Sequence, residues 1–376
     1  MKKLFCLFLL LALLPCLPAG AEDWTYDSGM AFVRELTAMD GAVALSSLRG
    51  DLMGESAARL VAWSAATGEA AVLEGEARPG EAVQDAAWLG GDSFAVLSGA
   101  VDGRGAWALE CVSGGETLWR SGAIPGASQV YALDGRLLVN SHPALGSTRL
   151  LAFDGAGTLL WTRDFDEHIT FEGVLAAGDG LLAYGWADIG DGLFPRAFCL
   201  DAGGAEQWRY AALEPGEAAA ACMDGEEVLL LMDNLGGDGW PTRLTRLRAG
   251  AVVWQQDYPS ARVEGAATQG TLDMLPYEGG ALIALRFGYP LAGECLLRQV
   301  DARGGVVAEW CVAFPELYGV RMAAFVPCGE AVYLTACGEP PEAAAVETAG
   351  WFDKSGPTLG DFADLLVVRE VELPEG

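Results

Sequence analysis

Two histidines, His142 and His168, limit the catalytic chemistry that the chain could perform. A zinc centre built on three histidines needs one more imidazole than the chain supplies. A Ser-His-Asp triad would have to use one of these two, and neither lies in a nucleophile-elbow sequence. Carboxylate pairs of the kind that cleave glycosidic bonds stay open, because 52 Asp and Glu residues offer many pairings. We therefore predict no catalytic residue.

Three short motifs are compatible with binding. Arg49-Gly50-Asp51 spells an adhesion tripeptide. The stretches "DIGDG" from Asp188 and "DNLGGDG" from Asp233 are rich in carboxylates, but neither has the alternating oxygen ligands of an EF-hand loop. Turn formation explains their Asp and Gly residues, so we predict no metal site. A calcium-stabilised structural module is the remaining alternative.

The nine cysteines lead to an open question about disulfides. Cys6 and Cys16 lie in the first 21 residues, which leaves an odd number, seven, in the rest of the chain. Cys295 and Cys311 flank the turn "DARGG" symmetrically and could face each other across a hairpin, and Cys328 and Cys337 are a second close pair. The other interpretation is that most of them are small buried hydrophobic residues.

Residues 1–21 are typical of a secretory signal. Lys2 and Lys3 precede an apolar run from Leu4 to Leu17, and small residues around Ala21 predict cleavage there. A lipoprotein signal at Cys16 is a less favoured alternative. We expect a mature protein, residues 22–376, that is secreted or otherwise extracytoplasmic, with no membrane span. A formal net charge of −29 argues against binding to nucleic acid.

Two alternating repeat units must position any functional residue. The first is an apolar strand, a short turn containing Gly and then, four residues after the Gly, a Trp. Its clearest copies end at Trp119, Trp161, Trp208 and Trp254, and a copy with one extra residue ends at Trp310. The second is a Gly turn that leads into another apolar strand, and it recurs roughly every 50 residues at Gly41, Gly91, Gly135, Gly180, Gly225, Gly280 and Gly329. Each period therefore contains two hairpins with four strands, here called A to D. Seven such periods predict an all-β, seven-bladed β-propeller of four-stranded antiparallel blades.

The N-terminal strand is expected to close the ring. The seventh period has A, B and C strands but no convincing D strand before the chain ends. The segment "DWTYD", in which Trp24 corresponds to Trp161, supplies that strand and removes the open edge of the sheet. The Trp at a fixed strand position is expected to pack between neighbouring blades, since a large ring fills the wedge there.

The units "LDAGGAEQW" and "FDGAGTLLW" resemble the repeat of the PQQ-like, quinoprotein-type β-propeller superfamily. That resemblance extends over nearly all of the chain after residue 21. It implies either a quinone-dependent dehydrogenase or a non-enzymatic scaffold such as an outer-membrane assembly factor. The dehydrogenases usually have eight blades, a calcium site and a vicinal Cys pair, whereas this chain has seven repeats and no Cys-Cys dipeptide. We therefore assign no catalytic residue and no cofactor from the resemblance, and PQQ and calcium stay as alternatives.

The B–C loops are the most variable part of the repeats. In a propeller they lie on one face together with the D–A links, and binding residues are usually found in such loops. The longest is the blade-seven insertion, residues 338–363, in which Trp351, Phe352 and Lys354 are the candidate partner contacts. We predict a monomeric, non-enzymatic scaffold that binds a protein or an envelope component through this face. The alternative is a ligand- or cofactor-binding enzyme, either a quinone-dependent oxidoreductase or a carbohydrate-active enzyme, with its site at the mouth of the central channel.

Overall fold

A computed structural model describes residues 24–27, 33–39, 41–50, 56–75, 78–101, 106–190, 192–233, 235, 241–263, 265–288, 293–342 and 365–373. The expected signal peptide and most of the blade-seven insertion lie outside these ranges. Within them the chain forms strands and turns without a helix, so no described helix could cross a membrane.

The strands form seven antiparallel sheets, each built from segments that follow one another along the chain. Blades 1 to 3 contain β2 (Val33–Met39), β3 (Ala42–Gly50), β4 (Ser56–Ser64) and β5 (Glu69–Glu74), then β6 (Glu81–Gly90), β7 (Ser93–Ala100), β8 (Ala106–Ser113) and β9 (Glu116–Pro125), then β10 (Ala127–Leu133), β11 (Arg136–Ser141), β12 (Thr148–Asp154) and β13 (Leu159–Phe165). Blades 4 and 5 contain β14 (His168–Ala177), β15 (Gly180–Asp188), β16 (Leu193–Leu200) and β17 (Glu206–Ala211), then β18 (Glu217–Asp224), β19 (Glu227–Asp233), β20 (Thr242–Arg248) and β21 (Ala251–Tyr258).

Blades 6 and 7 depart slightly from this pattern. Blade 6 contains β23 (Ala266–Tyr277), β24 (Gly280–Phe287), β25 (Glu294–Val300) and β26 (Val306–Ala313), with a two-residue strand β22 (Arg262–Val263) added beside β23. Blade 7 contains β27 (Met322–Cys328), β28 (Ala331–Gly338) and β29 (Leu365–Glu370), and its fourth strand is β1 (Trp24–Asp27). Contacts between the inner strands of successive blades run round the ring and return from β27 to β2. The predicted seven-bladed propeller is confirmed.

Burial follows from the position of each strand in its blade. Strand β19, second from the centre in blade 5, is buried along its whole length because it has neighbouring blades on both sides. Strand β17, the outermost strand of blade 4, alternates between half-buried and exposed residues. The core therefore lies between blades, as seven apolar clusters each of which includes side chains from more than one strand.

The ring closes through the N-terminal strand, as expected from the missing seventh D strand. Strand β1 pairs antiparallel with β29, with Trp24 opposite Val368 and Asp27 opposite Leu365. The order β1-β29-β28-β27 gives blade 7 the same four strands as the others. Closure through strands from both ends of the sequence covers the edge that β29 would otherwise present.

The repeated Asp, Gly and Trp form one joint between blades. Asp201 Oδ1 accepts hydrogen bonds from the backbone N–H groups of Gly203 and Ala205, both at 2.9 Å, and so holds the C–D turn of blade 4. Gly204 in that turn has φ +81°, and a Cβ added there would lie 2.5 Å from Trp161 Cδ2 of blade 3. The Trp161 indole also donates to Ala202 O at 3.1 Å. The expected packing of Trp between blades is therefore confirmed, and the Gly is required because the ring lies on it.

Neither expected cysteine pair is formed in the way that the sequence suggests. The strand pairing places Cys311 opposite Leu296 and Cys295 opposite Val312, one residue out of step. Cys295 is consequently a fully buried free thiol while Cys311 is exposed. Cys328 and Cys337 lie at opposite ends of the β27–β28 hairpin, opposite Ala331 and Met322 respectively. The Cys295–Cys311 prediction was wrong because an extra residue, Val307, bulges out of β26 and shifts the register.

Candidate functional site

The two faces of the ring differ in the surface that they present. The A–B and C–D turns are short on one face, whereas the B–C loops and D–A links form the other, called here the B–C face. Four large apolar side chains at least a third exposed lie on the B–C face: Val101, Leu145, Ile189 and Leu213. Leu145 and Leu213 have relative exposures of 103% and 94%, so they contact almost nothing in the described chain.

These four residues occupy one arc of the ring. Val101, Leu145 and Ile189 follow the B strands of blades 2, 3 and 4, and Leu213 lies in the link from blade 4 to blade 5. The other exposed large apolar side chains of the described residues all lie on outermost strands: Val72, Leu118, Leu159, Leu160, Val252, Val253, Val306 and Val307. The B–C face thus carries the only such residues, within the described ranges, at loop positions.

The seven inner strands enclose a cavity of about 1090 Å³ on the axis of the ring. Six of them carry a β-bulge that leaves a residue out of the ladder: Arg34, Gln84, Ser128, Glu172, Ala219 and Gln269. A bulge redirects a side chain and breaks the regular pairing. Glu172, Ala219 and Gln269 are among the residues that line the cavity.

Two of the cavity carboxylates join neighbouring blades. Asp233 accepts from the Thr271 N–H at 2.7 Å and from Thr271 Oγ1 at 2.8 Å, which links blade 5 to blade 6. Asp273 accepts from the N–H groups of Met274 and Phe325, both at 2.7 Å, which links blade 6 to blade 7. Burial raises the pKa of Asp233, and it raises the pKa of Asp273 to about 6 even though both backbone bonds favour the ionised form. These two carboxylates have structural partners and are not available to a ligand.

Two further glutamates face the cavity with fewer partners. Glu172 accepts one hydrogen bond, from Trp186 Nε1 at 2.9 Å. Solvent in the cavity reaches the Glu172 side chain, but the inner strands surround it, and this desolvation raises its pKa. The hydrogen bond from Trp186 lowers the pKa, and the negative charge of Glu217 raises it further. Glu217 stands directly opposite Asp233 on the neighbouring strand. Its carboxylate has no hydrogen bond or ion pair to any described residue.

Arg286 brings a positive charge to the same cavity. It stands opposite Gly270, and a Cβ at Gly270 would lie 3.6 Å from Asp233 Oδ2 and 3.7 Å from Arg286 Nη2. The absence of a side chain at Gly270 therefore leaves a gap beside these two groups. The guanidinium of Arg286 forms no ion pair with any described carboxylate. The second cavity arginine, Arg321, is engaged by Glu339 at 3.4 Å.

The two histidines meet at the B–C face. His142 follows β11 of blade 3 and His168 begins β14 of blade 4, and their ring centroids are 4.4 Å apart. Thr148 Oγ1 lies 3.4 Å from His142 Nδ1. Burial and the neighbouring His168 lower the pKa of His142 below its usual value. No group of three or more His, Cys, Asp or Glu residues in the described ranges is arranged to hold a metal.

The residues singled out from the sequence are distributed as follows. Trp351, Phe352 and Lys354 lie outside the described residues. Gly338, at the start of their loop, pairs with Leu365 at its end, so the insertion leaves and rejoins blade 7 at the B–C face. Of the two carboxylate-rich stretches, Asp188 caps a turn by accepting from the Gly190 N–H at 3.1 Å, and Asp233 joins two blades as described above.

Sequence reasoning missed Glu172, Glu217 and Arg286. The only sequence signal is a charged residue in or beside an apolar strand: Glu172 interrupts β14, Glu217 begins β18 and Arg286 lies near the end of β24. That signal is weak because charged residues at strand ends are common on protein surfaces.

The fold defines the chain as a seven-bladed β-propeller, and the comparisons with solved structures agree. It is similar to the Dos1 propeller, with a TM-score of 0.54 and 12% identity over 93% of this chain and 95% of that one. It is also similar to the dihydro-haem d1 dehydrogenase NirN in complex with DHE, with a TM-score of 0.50 and 11% identity over 81% of this chain and 62% of that one. The β-propeller domain of the Trilobed protease from Pyrococcus furiosus matches with a TM-score of 0.49 and 10% identity, over 81% of this chain and 91% of that one.

At these identities the likeness extends to the fold alone. No family model matches the chain. No curated protein matches it either. Membership of the PQQ-like superfamily accordingly stays a prediction from the repeats.

Proposed function

We propose that the protein is an extracytoplasmic, non-enzymatic scaffold that binds a protein or an envelope component through its B–C face. The observation that carries the proposal is the display of Leu145 and Leu213, both almost completely exposed, on that face, in the B–C loop of blade 3 and the link from blade 4 to blade 5. Leaving a large apolar side chain in water forgoes about 1.5–3 kcal/mol of burial free energy, and clusters of such side chains mark interaction sites.

The arrangement of the scaffold supports the same face. Buried side chains join successive blades, and Trp–Gly joints add to this from blade 2 to blade 6, so the loops project from a rigid ring. Hydrophobic contacts at loop tips on a rigid support lose little conformational entropy on binding. Trp351, Phe352 and Lys354 belong to the proposed surface as well, since their loop begins and ends on the B–C face.

A paired substitution tests this proposal. A photo-reactive amino acid at position 145, in the protein produced by its native host, is expected to give one discrete cross-linked product. Leu213→Asp should abolish that product, because a charge replaces an apolar contact. Leu118→Asp is the matched control, since Leu118 is also well exposed, at 62%, but lies on the outer strand β9. Equal cross-linking by both variants would show that Leu213 is not part of the contact surface, and the lack of any discrete product from position 145 would refute the B–C face as the contact surface.

The blade-seven insertion needs its own test. Deletion of residues 340–361 should weaken cross-linking from position 145 while leaving the melting temperature unchanged. If cross-linking is unaffected, Trp351, Phe352 and Lys354 are not contacts, whereas the proposal for the Leu145 and Leu213 surface is unchanged.

The second candidate function is a ligand- or cofactor-binding enzyme with its site at the channel mouth. The observation that favours it is the axial cavity, whose volume of about 1090 Å³ is just above the range typical of small-molecule sites. Thermal unfolding with PQQ and calcium, with calcium alone, with a chelator and with common glycans tests it, because a bound ligand raises the unfolding temperature. A specific rise with PQQ and calcium, beyond that with calcium alone, or with a glycan would favour the enzyme over the scaffold. A rise with calcium alone and a fall with the chelator would instead indicate a calcium-stabilised structural module.

A further inference from the structure

The axial cavity has two unlike halves. Toward the B–C face it is lined by the first residue of β18, Glu217, by the last residue of β19, Asp233, and by Arg286 near the end of β24. Toward the other face the lining includes Leu89, Leu133 and Leu175, close to the ends of their inner strands. The strands run in the same direction in every blade, so Glu217, Asp233 and Arg286 collect on one side, whereas the other side is mainly apolar with Asp134 at the turn after β10.

The charged half contains opposite charges that do not neutralise each other. Arg286 forms no ion pair with a described residue, and neither does Glu217, although both line the same cavity. Asp233 lies near both, but its oxygens already accept two hydrogen bonds from Thr271. A guanidinium and a carboxylate that share a lumen normally pair when they can reach one another. Their separation here leaves room for a group that contacts both.

Blade 4 completes the negative side of this half. Glu172 bulges out of β14 into the cavity, and the indole N–H of Trp186 holds its carboxylate at 2.9 Å. The remaining lone pairs of the two glutamates face a space in which no described side chain donates to them. Gln269, another bulged residue of the lining, packs its amide against Gly288 after β24 and is not counted in the site. Three adjacent blades thus present two glutamates and one guanidinium.

We propose that the axial cavity binds a small zwitterion with an apolar body, that is, an apolar amino acid or a short apolar peptide with free termini. Arg286 binds its carboxylate through a two-pronged ion pair, and Glu172 and Glu217 bind its ammonium group. The apolar side chains of the ligand lie against Leu89, Leu133 and Leu175. No covalent step is involved.

The chemistry of the lining distinguishes this ligand class from simpler ones. A purely anionic ligand would face Glu172 and Glu217 at close range, and a purely cationic ligand would leave the Arg286 charge without a partner. A sugar without charge would use the hydrogen-bonding groups but would not fill the apolar half with matching surface. A cavity of about 1090 Å³ has room for more than one amino-acid residue.

A ligand series with matched bodies tests the proposal directly. Isothermal titration calorimetry of the purified protein uses leucine and the dipeptide Leu-Leu, together with the forms lacking one charge: the N-acetyl and the C-terminal amide derivatives. At least one of the free forms should bind, and both of its blocked forms should bind at least about tenfold more weakly, since each loses a charge-assisted hydrogen bond. Equal binding of free and blocked forms, or no binding of leucine or Leu-Leu at millimolar concentration, would overturn the proposal.

Variants assign each charge to its residue. Arg286→Gln should weaken binding of the ligand with free termini at least about tenfold and leave binding of the C-terminal amide unaffected. Glu217→Gln should weaken binding of both forms alike. Arg303→Gln and Glu226→Gln are matched controls, because both residues are exposed in turns on the face opposite the B–C face. Glu217 has no described hydrogen bond or ion pair to lose, so Glu217→Gln should keep the wild-type melting temperature. Arg286→Gln removes a positive charge that favours the ionised form of Asp233, and it should lower the melting temperature only slightly because Asp233 keeps both hydrogen bonds from Thr271. Weakening by the controls as well would mean non-specific electrostatic binding and would contradict the assignment.

The site is independent of the proposed scaffold function. It lies within the ring, while Leu145 and Leu213 lie on its surface. Failure of the calorimetric series would leave the cross-linking result at position 145 unaffected, and the reverse also holds.

Discussion

Replacing Gly204 with alanine should destabilise the propeller by about 2–5 kcal/mol, because two separate costs add. The first is the left-handed backbone: at φ +81°, a residue with a Cβ is strained by about 1–2 kcal/mol. The second is steric, since the new Cβ would lie 2.5 Å from Trp161 Cδ2 and 2.7 Å from Cε3, well inside van der Waals contact. Moving a packed ring out of the way typically costs about 1–3 kcal/mol.

Gly135→Ala separates the two costs. Gly135 has φ +73° in the A–B turn of blade 3, and no described atom would lie within 4 Å of its added Cβ. This control should therefore show the backbone cost alone, about 1–2 kcal/mol. Urea unfolding measures both, with the slope of the transition checked for a change in cooperativity.

The Trp161→Ala background completes the cycle. Once the ring is removed, Gly204→Ala should cost no more than Gly135→Ala, because only the backbone strain remains. If Gly204→Ala and Gly135→Ala are equally destabilising in the wild-type background, the Trp ring does not depend on the glycine beneath it. The account of the Asp-Gly-Trp repeat as a joint between blades would then be refuted.

Three further predictions concern buried charges and the histidine pair. Burial raises the pKa of Asp273 from 3.8 to about 6, so its contribution to stability is fully present below pH 3.8 and is lost as the pH rises from there through 6, by about 3 kcal/mol in all. Urea unfolding across that range should show this loss for the wild type and not for Asp273→Asn. Because the pKa of His142 is lowered in the folded protein, its contribution to folding stability is present above about pH 6.5. That contribution is lost as the pH falls through the pKa of His142 in the folded state. In an NMR titration, His168→Gln should raise the His142 pKa, and an unchanged value would contradict the contact. Glu110 is 3% exposed and forms ion pairs with two arginines, so Glu110→Gln should lower the free energy of unfolding, measured with urea, by about 2–4 kcal/mol. The control Glu116→Gln, on the exposed strand β9, should lower it by a negligible amount.

The blade architecture could be predicted because its signals are local. A Gly that permits positive φ, an Asp that caps its own turn and a Trp four residues after the Gly each act within one hairpin, and they recur with a period that only a four-stranded unit explains. The closing role of Trp24 to Asp27 followed from the same count, since one period lacked its last strand. The sequence predicted that the repeat Trp packs between neighbouring blades. It could not show that the ring of Trp161 lies on the turn of the following blade, at Gly204.

Register was less accessible to sequence reasoning. Cys295 and Cys311 are symmetrical about "DARGG", and a regular hairpin would place them opposite each other. The bulge at Val307 moves Cys311 one residue along and onto the other face of the sheet. A single extra residue has that effect because side chains alternate between faces with a period of two. Nothing in the sequence separates a bulged hairpin from a regular one with a longer turn.

By itself, the sequence determined the all-β class, the seven repeats and the closure of the ring, since these depend on short-range turn chemistry and on the periodic placement of apolar residues. Only the tertiary structure decided which side chains meet. Glu172, Glu217 and Arg286 come from three blades and are brought to one cavity by the curvature of the ring and by bulges in its inner strands. The exposure of Leu145 and Leu213 was decided in the same way, because an apolar residue in a loop is exposed or buried according to what the folded chain places beside it.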